Sequence, residues 1–469
     1  MAGNLVAGGV ALQPSAEQVA LSTNYITTFD FLNQYLPDTY EKEFERYGNR
    51  TISGFLRMVG AEMPSNSDLI KWAEQGRLHT KYTTCTLATY TGAETVQTVT
   101  VPLAQLNPGT GAIAVRVGQT ILISDETAAS GFSNKAIVTT VGVGAANEFT
   151  IAYYEATQAA YAAASTISMF AYGSEFAKGT NGMVGSLESD DLFLENNPII
   201  LKDKYAVNGS DMAQIGWVEV TSENGANGYL WYLKSEHETR LRFDDMLETA
   251  MIEAVPAAVG SGATTAGFIG SEGIFSAVGT RGNVWSGGFP VALADFDAII
   301  SRLDKQGAIE ENAIFLDRQF GFSIDDMLAA QNSYGAGGTS YGLFDNDEEM
   351  ALNLGFTGFR RGYDFYKTDW KYLNDPTMRG DLVGGKISGL LVPAGSTSVY
   401  DQVLGKNAKR PFLHVRYRAS QTEDRRYKTW MTGSAGGAQT SSLDAMEVNF
   451  LSERCVCTLG ANNFVLFQG

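Results

Sequence analysis

Cysteine, histidine and charge are all scarce in this chain. Of 469 residues, three are Cys (Cys85, Cys455, Cys457) and three are His (His79, His237, His414). So few thiols exclude a disulfide framework. The widely spread imidazoles leave no ligand cluster for a structural zinc. Charged residues make up 18%, against about 25% in typical domains. No apolar run approaches the roughly 18 residues of a membrane-spanning helix. The opening Met1-Ala2-Gly3-Asn4-Leu5 lacks the basic start and apolar core of a signal peptide, so export is not expected. Acidic residues outnumber basic ones 52 to 34, a net charge of −18. That balance excludes a surface built throughout to grip a phosphate backbone.

The length allows two to four domains at about 100–200 residues each. Such a chain fills a core without metal or disulfide staples. Its 51 glycines are about 11% of the chain, against about 7% on average. A large protein short of charge either has much interior or buries much surface against partners. Interface cores are depleted in charge and enriched in aromatics. Aromatics are 11% here, which makes an assembly a candidate at once.

Residues 1–36 read as an extended arm, with little that packs on its own subunit. Short helices are expected at Thr39–Tyr47, at Thr51–Val59 and, capped by Ser67-Asp68, at Leu69–Gln75. From Tyr82 the texture becomes β-rich. Strands are expected at Thr83–Tyr90, Thr95–Val101, Ala112–Val117, Thr120–Ser124, Lys135–Val141, Glu148–Tyr154 and Thr166–Tyr172, separated by Gly, Asn and Pro turns. This is a small barrel or sandwich. Residues 82–180 hold three basic and six acidic residues. A mixed, acidic stretch follows, and then the best helix in the chain. Ser235 is its expected cap, Pro256 its terminator, and Phe243, Met246, Leu247, Ala250, Met251 and Ala254 its apolar face. Beyond a Gly-rich tract come the helix Ala292–Lys305, the strand Ala313–Leu316 and the helix Gln319–Gln331. Further strands are expected at Leu354–Arg360, Asp364–Trp370, Ile387–Val392, Phe412–Ala419, Met446–Thr458 and Phe464–Phe467.

Motifs for chemistry are weak. Gly380-Asp381-Leu382-Val383-Gly384-Gly385-Lys386 nearly matches a phosphate-binding loop, but Ile387 stands where a hydroxyl must hold magnesium. It reads as a turn entering a strand. Cys455-Val456-Cys457 puts two thiols on one strand face and reads as buried core. Asn49-Arg50-Thr51 and Asn208-Gly209-Ser210 match glycan acceptors, with nothing to route the chain past a glycosylation apparatus. Asp244, Asp245 and Glu248 sit beside Arg240 and Arg242 at helix-surface spacing, and His237 lies in a first turn. No nucleophile elbow, histidine pair or paired acidic motif is present. The reading is therefore of a protein that is not an enzyme and needs no cofactor or metal.

One charge asymmetry stands out. From Arg360 to Lys428 there are 14 basic and 7 acidic residues, in a chain that is acidic overall. Opposite-sign patches suit head-to-tail contacts between copies. Arg360, Arg361, Arg416, Arg418, Arg425 and Arg426 are the candidate inter-subunit residues.

Four stretches carry a family resemblance: Trp72-Ala73-Glu74-Gln75-Gly76-Arg77-Leu78-His79; Gly273-Ile274-Phe275 with Thr280-Arg281-Gly282-Asn283; Ala308 to Arg318; and Gly362-Tyr363-Asp364-Phe365. In their order the chain resembles a tailed-phage major capsid protein, most of all those of crAss-like phages. The resemblance implies an α+β Hong Kong 97-type phage capsid fold with a small all-β domain inserted in the E-loop. It implies an arm with short helices (1–79), the inserted domain (80–180), a P domain (181–290) with spine helix 236–255, an A domain (291–445) and returning strands (446–469). In that family the chain forms hexamers and pentamers of an icosahedral shell that encloses double-stranded DNA without reading its sequence. It is assembled in the host cytoplasm and ends in the virion. No charged coiled-coil segment opens the chain, so separate scaffolding is implied, with portal and auxiliary capsid proteins and no membrane. The large insertion removes any basis for assuming lysine cross-linking. The second-choice reading is a cellular nanocompartment (encapsulin-like) shell of the same fold. A secreted or surface-array β protein comes third.

Overall fold

In the computed structural model, the described residues are 61–88, 93–107, 111–126, 133–142, 144–158, 166–187, 191–213, 220–221, 227–228, 231–332, 357–401, 406–437 and 439–469. The expected arm and the helices at Thr39–Tyr47 and Thr51–Val59 lie outside them. The chain divides into two compact units, residues 73–194 and the remainder.

The strands run β1 (Ala61–Ser65), β2 (Ile70–Gln75), β3 (Lys81–Leu87), β4 (Val96–Thr100), β5 (Gln119–Asp125), β6 (Ser133–Val141), β7 (Glu148–Tyr153), β8 (Ile167–Ser174), β9 (Asp191–Asn196) and β10 (Ile199–Asn208). A minimal ribbon follows, β11 (Val220–Thr221) with β12 (Asn227–Gly228). The later strands are β13 (Asn283–Trp285), β14 (Glu311–Leu316), β15 (Gly358–Arg361), β16 (Tyr363–Asp369), β17 (Ile387–Pro393), β18 (Ser396–Asp401), β19 (Lys406–Pro411), β20 (Leu413–Arg418), β21 (Lys428–Gly433), β22 (Ala445–Thr458) and β23 (Val465–Gln468). Among the described residues four helices have two or more turns: Trp231–Glu253, Ile274–Arg281, Leu293–Gln306 and Arg318–Asn332.

The unit 73–194 is a closed antiparallel barrel, in the order β3-β4-β7-β6-β5-β8 and back to β3. Alternation dictates it. Val99, Ile121, Ile123, Ala136, Val138, Phe149, Ile151, Ile167 and Met169 all turn inward and fill one core. Closure leaves no edge strand exposed in the barrel. Ala112–Val117, expected as a seventh strand, is irregular instead. Its backbone is held by side chains: the Ala114 N–H donates to Tyr82 Oη at 2.7 Å, and the Arg116 N–H to Gln119 Oε1 at 2.9 Å. β3 is bulged between Tyr82 and Cys85, and Thr84 has φ +53°. A β-branched residue reaches that region only when its surroundings hold it there. Gln105 clamps both backbone groups of Thr83, and Glu126 Oε1 accepts the Thr84 N–H at 2.8 Å.

β2 replaces the helix expected at Leu69–Gln75. Ile70, Trp72 and Glu74 alternate with exposed Lys71, Ala73 and Gln75, a period of two that outweighs the local Ser67-Asp68 capping signal. β2 pairs with β9 in a two-stranded ribbon, so the chain leaves and returns along adjacent strands.

The larger unit contains two main sheets. In one, β1, β20, β22 and β10 lie side by side, with β21 also on β22. The long helix Trp231–Glu253 packs on this sheet. Phe243 and Leu247 meet Val207 of β10 and Met446, Val448 and Phe450 of β22. Ser235, the expected cap, is inside the helix, where its carbonyl accepts the Thr239 hydroxyl at 2.9 Å. The helix ends at Glu253, ahead of Pro256. Gly273 then crosses so close that a Cβ would lie 2.7 Å from the Ala254 nitrogen, which is why glycine opens the helix Ile274–Arg281.

The other sheet has the order β13-β23-β17-β14-β16-β15. β17 is buried along its whole length. Phe296, Ile299 and Leu303 of one helix and Phe320, Ile324 and Met327 of another cover this sheet. Gly307 closes the first helix in the left-handed region at φ +68°. Asp317 Oδ1 caps the second by accepting the Phe320 N–H at 2.6 Å.

Candidate interaction surface

The six candidate arginines fall into two groups within the larger unit. Arg360 and Arg361 are on β15, at the edge of the six-stranded sheet. Arg416 and Arg418 are on β20, and Arg425 and Arg426 lie just before β21.

In the first group, Arg360 meets Asp364 at 3.0 Å, and its side chain is 74% exposed. Arg361 grips Asp297 of the helix Leu293–Gln306 with two nitrogens, Nη2 to Oδ2 at 2.7 Å. This fork holds the Asp297 carboxyl below its usual range and raises the guanidinium.

The second group is built on β1 and β22. β1 lies parallel to β20, with Glu62 opposite Val415. Glu62 accepts from Arg426 and, at 3.5 Å, from Arg454 of β22. Arg418 pairs with Asp68 and lies 3.8 Å from Glu453. Arg425 Nε meets Glu453 Oε2 at 2.6 Å. The Arg426 guanidinium also lies over the Tyr417 ring at 5.7 Å. Lys428 holds Glu423 at 2.7 Å, which keeps that carboxyl below its usual range. Arg416 Nη1 reaches Met63 Sδ at 3.9 Å. Arg454 is buried, and burial works against its charge. Hydrogen bonds to Ser452 Oγ at 2.8 Å and the Arg426 carbonyl at 2.9 Å compensate it, together with Glu62.

Most of the basic tract is thus already paired inside the chain. Exposed pairs of this kind add little to stability and leave their charges accessible to other molecules. Sequence reasoning missed Glu62, Glu453 and Arg454. They meet the tract only through strand register, and nothing in their local sequence marks them.

Two of the remaining motifs have structural partners, while Asn49-Arg50-Thr51 lies outside the described residues. Lys386, the lysine of the loop-like Gly380–Lys386 stretch, lies 3.7 Å from Asp317 Oδ2 and 5.4 Å from the Phe289 ring. Cys455 and Cys457 are free thiols buried beside Ile70, and the hydrogen bond with Cys457, together with burial, pushes the Cys455 thiol up. Glu248 is buried on the long helix. Among the described residues no group of three or more His, Cys, Asp or Glu side chains is placed to hold a metal ion. No described helix is long and apolar enough to cross a membrane.

No protein-family model and no curated protein matches this sequence. Solved structures do. One from Microbacterium phage Oxtober96 is 10% identical over 93% of this chain and 96% of that one, with a TM-score of 0.37. The capsid of a native GTA particle is 8% identical over 92% and 95%, with a TM-score of 0.38. The holo-SrpI encapsulin complex of Synechococcus elongatus PCC 7942 is 12% identical over 60% and 77%, with a TM-score of 0.32. At these identities and scores the functional reading rests on the chain's own architecture.

Proposed function

We propose that this chain is the major capsid protein of a tailed phage, with the Hong Kong 97-type fold. The supporting observation is the order of parts. A barrel is inserted between paired strands β2 and β9. A 23-residue helix then packs on a sheet assembled from β1, β10, β20, β21 and β22, and a separate six-stranded α/β layer is threaded between them. In this reading β2 and β9 are the base of the E-loop. The helix and its sheet are the P domain. The layer from β13 to β17, completed by β23, is the A domain that meets its copies around fivefold and sixfold axes. The charge balance agrees: a protein with a net charge of −18 confines DNA without gripping it. Scaffolding, portal and auxiliary proteins are separate partners, and the product is the virion shell.

The contents of the shell test this reading. Particles recovered from infected cells are expected to hold double-stranded DNA that survives added nuclease and is released on heating. Particles holding a cargo enzyme and no protected DNA would instead indicate a nanocompartment.

A further inference from the structure

The two thiols of β22 sit in a different chemical setting from the third. β22 runs antiparallel to β20, with Cys457 opposite His414 and Cys455 opposite Arg416. Residues directly opposite share a face, as do residues two apart on one strand. All four therefore stand on one side of the sheet, and Ile70 and Trp72 of β2 pack over the thiols. Cys455, Cys457 and His414 are buried. His414 Nδ1 lies 3.3 Å from the Pro411 carbonyl, which can only accept, so that nitrogen carries the proton and Nε2 is left to the thiol. Hydrogen bonding with Cys455 draws the Cys457 thiol down, helped by His414 and Arg416, against burial. Cys85 is the contrast. It lies in the apolar barrel core, its Sγ donates to the Thr83 carbonyl at 3.7 Å, and burial pushes it up to about 12.

A thiol beside an imidazole and a guanidinium is a nucleophile, whereas a thiol in an apolar core is inert. A second thiol two residues away supplies the group that resolves an oxidised sulfur. The cover sets the size of the reagent. Trp72 is only half-buried and reaches solvent, and the Arg281 guanidinium lies over its ring at 5.9 Å. Thiols roofed by one indole and one isoleucine admit a reagent of a few atoms and exclude a bulky one.

We propose that Cys457 and Cys455 form a peroxide-sensitive pair, with Cys457 as the attacking sulfur, His414 as its proton acceptor and Cys455 as the resolving thiol. Cys457 passes its proton to His414 Nε2. Its sulfur attacks one oxygen of hydrogen peroxide, so that an S–O bond forms and the O–O bond breaks. The leaving hydroxide takes the proton back from His414 and departs as water. The sulfur loses two electrons and the peroxide gains them. The Cys455 sulfur then attacks the sulfenic sulfur. An S–S bond replaces the S–O bond, and the hydroxide leaves as water with the Cys455 proton. Two residues apart on a strand, the Cα atoms are about 6.4–6.8 Å from each other, at the upper end of what a disulfide bridges. Closing the bond therefore draws β22 in beneath β2, and a thiol reductant reverses it. This chemistry is independent of the shell reading.

Mass spectrometry of the full chain tests it. The folded protein is treated with hydrogen peroxide, its free thiols are blocked, and it is digested with trypsin. Cleavage after Arg454 gives a peptide that begins at Cys455 and holds both thiols. That peptide is expected to lose the mass of two hydrogens and to regain it with dithiothreitol, while Cys85 stays reduced. In Cys455→Ser the oxidation should stop at a sulfenic acid on Cys457, which dimedone traps. Trp72→Ala should speed the oxidation about tenfold by uncovering the pair, and His414→Asn should slow it about tenfold. An unreactive Cys85 shows in each variant that the chain is still folded. A pair that stays reduced even in Trp72→Ala would overturn the proposal. So would oxidation of Cys85 as fast as the pair, or a Cys457→Ser chain in which dimedone traps Cys455 just as readily.

Discussion

Replacing residues 80–180 with a short Gly/Ser link is expected to leave the long helix and both sheets of the larger unit folded. The same segment made alone should be soluble, give a β-type circular dichroism spectrum and melt in one cooperative transition. The cores explain why. Every member of the barrel core lies between Tyr82 and Met169, and the other four clusters take no residue from the unit 73–194. The barrel is closed, so removing it uncovers no partner strand. Its ends are already adjacent, with Lys81 opposite Phe170, as insertion between paired strands requires. A disordered fragment, together with global unfolding of the shortened chain, would show that these strands belong to the main core.

Phe243→Ala should be the most damaging single substitution on the long helix. Phe243 is fully buried, 5.5 Å from the Tyr427 ring and 5.8 Å from that of Phe450, and it joins the helix to β22. Emptying such a site costs about 3–5 kcal/mol, a large share of a total stability of about 5–15 kcal/mol. Urea unfolding of the unassembled protein should show a matching fall in midpoint. Met246→Ala, three residues along on the exposed side of the helix, should change stability by about 0.5 kcal/mol or less. Equal effects of the two substitutions would mean that the helix does not face the sheet as described.

Element by element, the sequence was most legible where apolar residues recur at a regular spacing or in an unbroken run. β5, β6, β7, β14, β16, β17, β22 and β23 and the helices Leu293–Gln306 and Arg318–Asn332 lie where hydrophobic periodicity puts them. β10 was harder to see. Lys202, Asp203 and Lys204 interrupt its apolar run, and their partners Glu447 and Arg242 lie on β22 and the long helix. β2 was misread because Ser67-Asp68 imitates a helix cap, whereas the ribbon with β9 is a long-range choice. β1 has five residues, one of them Pro64, and becomes a strand only by lying against β20. The candidate arginines were visible as a charge excess. Their carboxylate partners were not, because register and not proximity in sequence pairs Glu62 and Glu453 with them. That Phe170 and Tyr172 of β8 face outward is also visible only once the barrel closes.

The central claim is that copies of this chain build a closed shell, and electron microscopy of the purified protein tests it most directly. The account predicts uniform hollow particles whose averaged images resolve five- and six-membered clusters of this chain. A field without particles, with sedimentation showing only a compact monomer at every ionic strength tried, would contradict it.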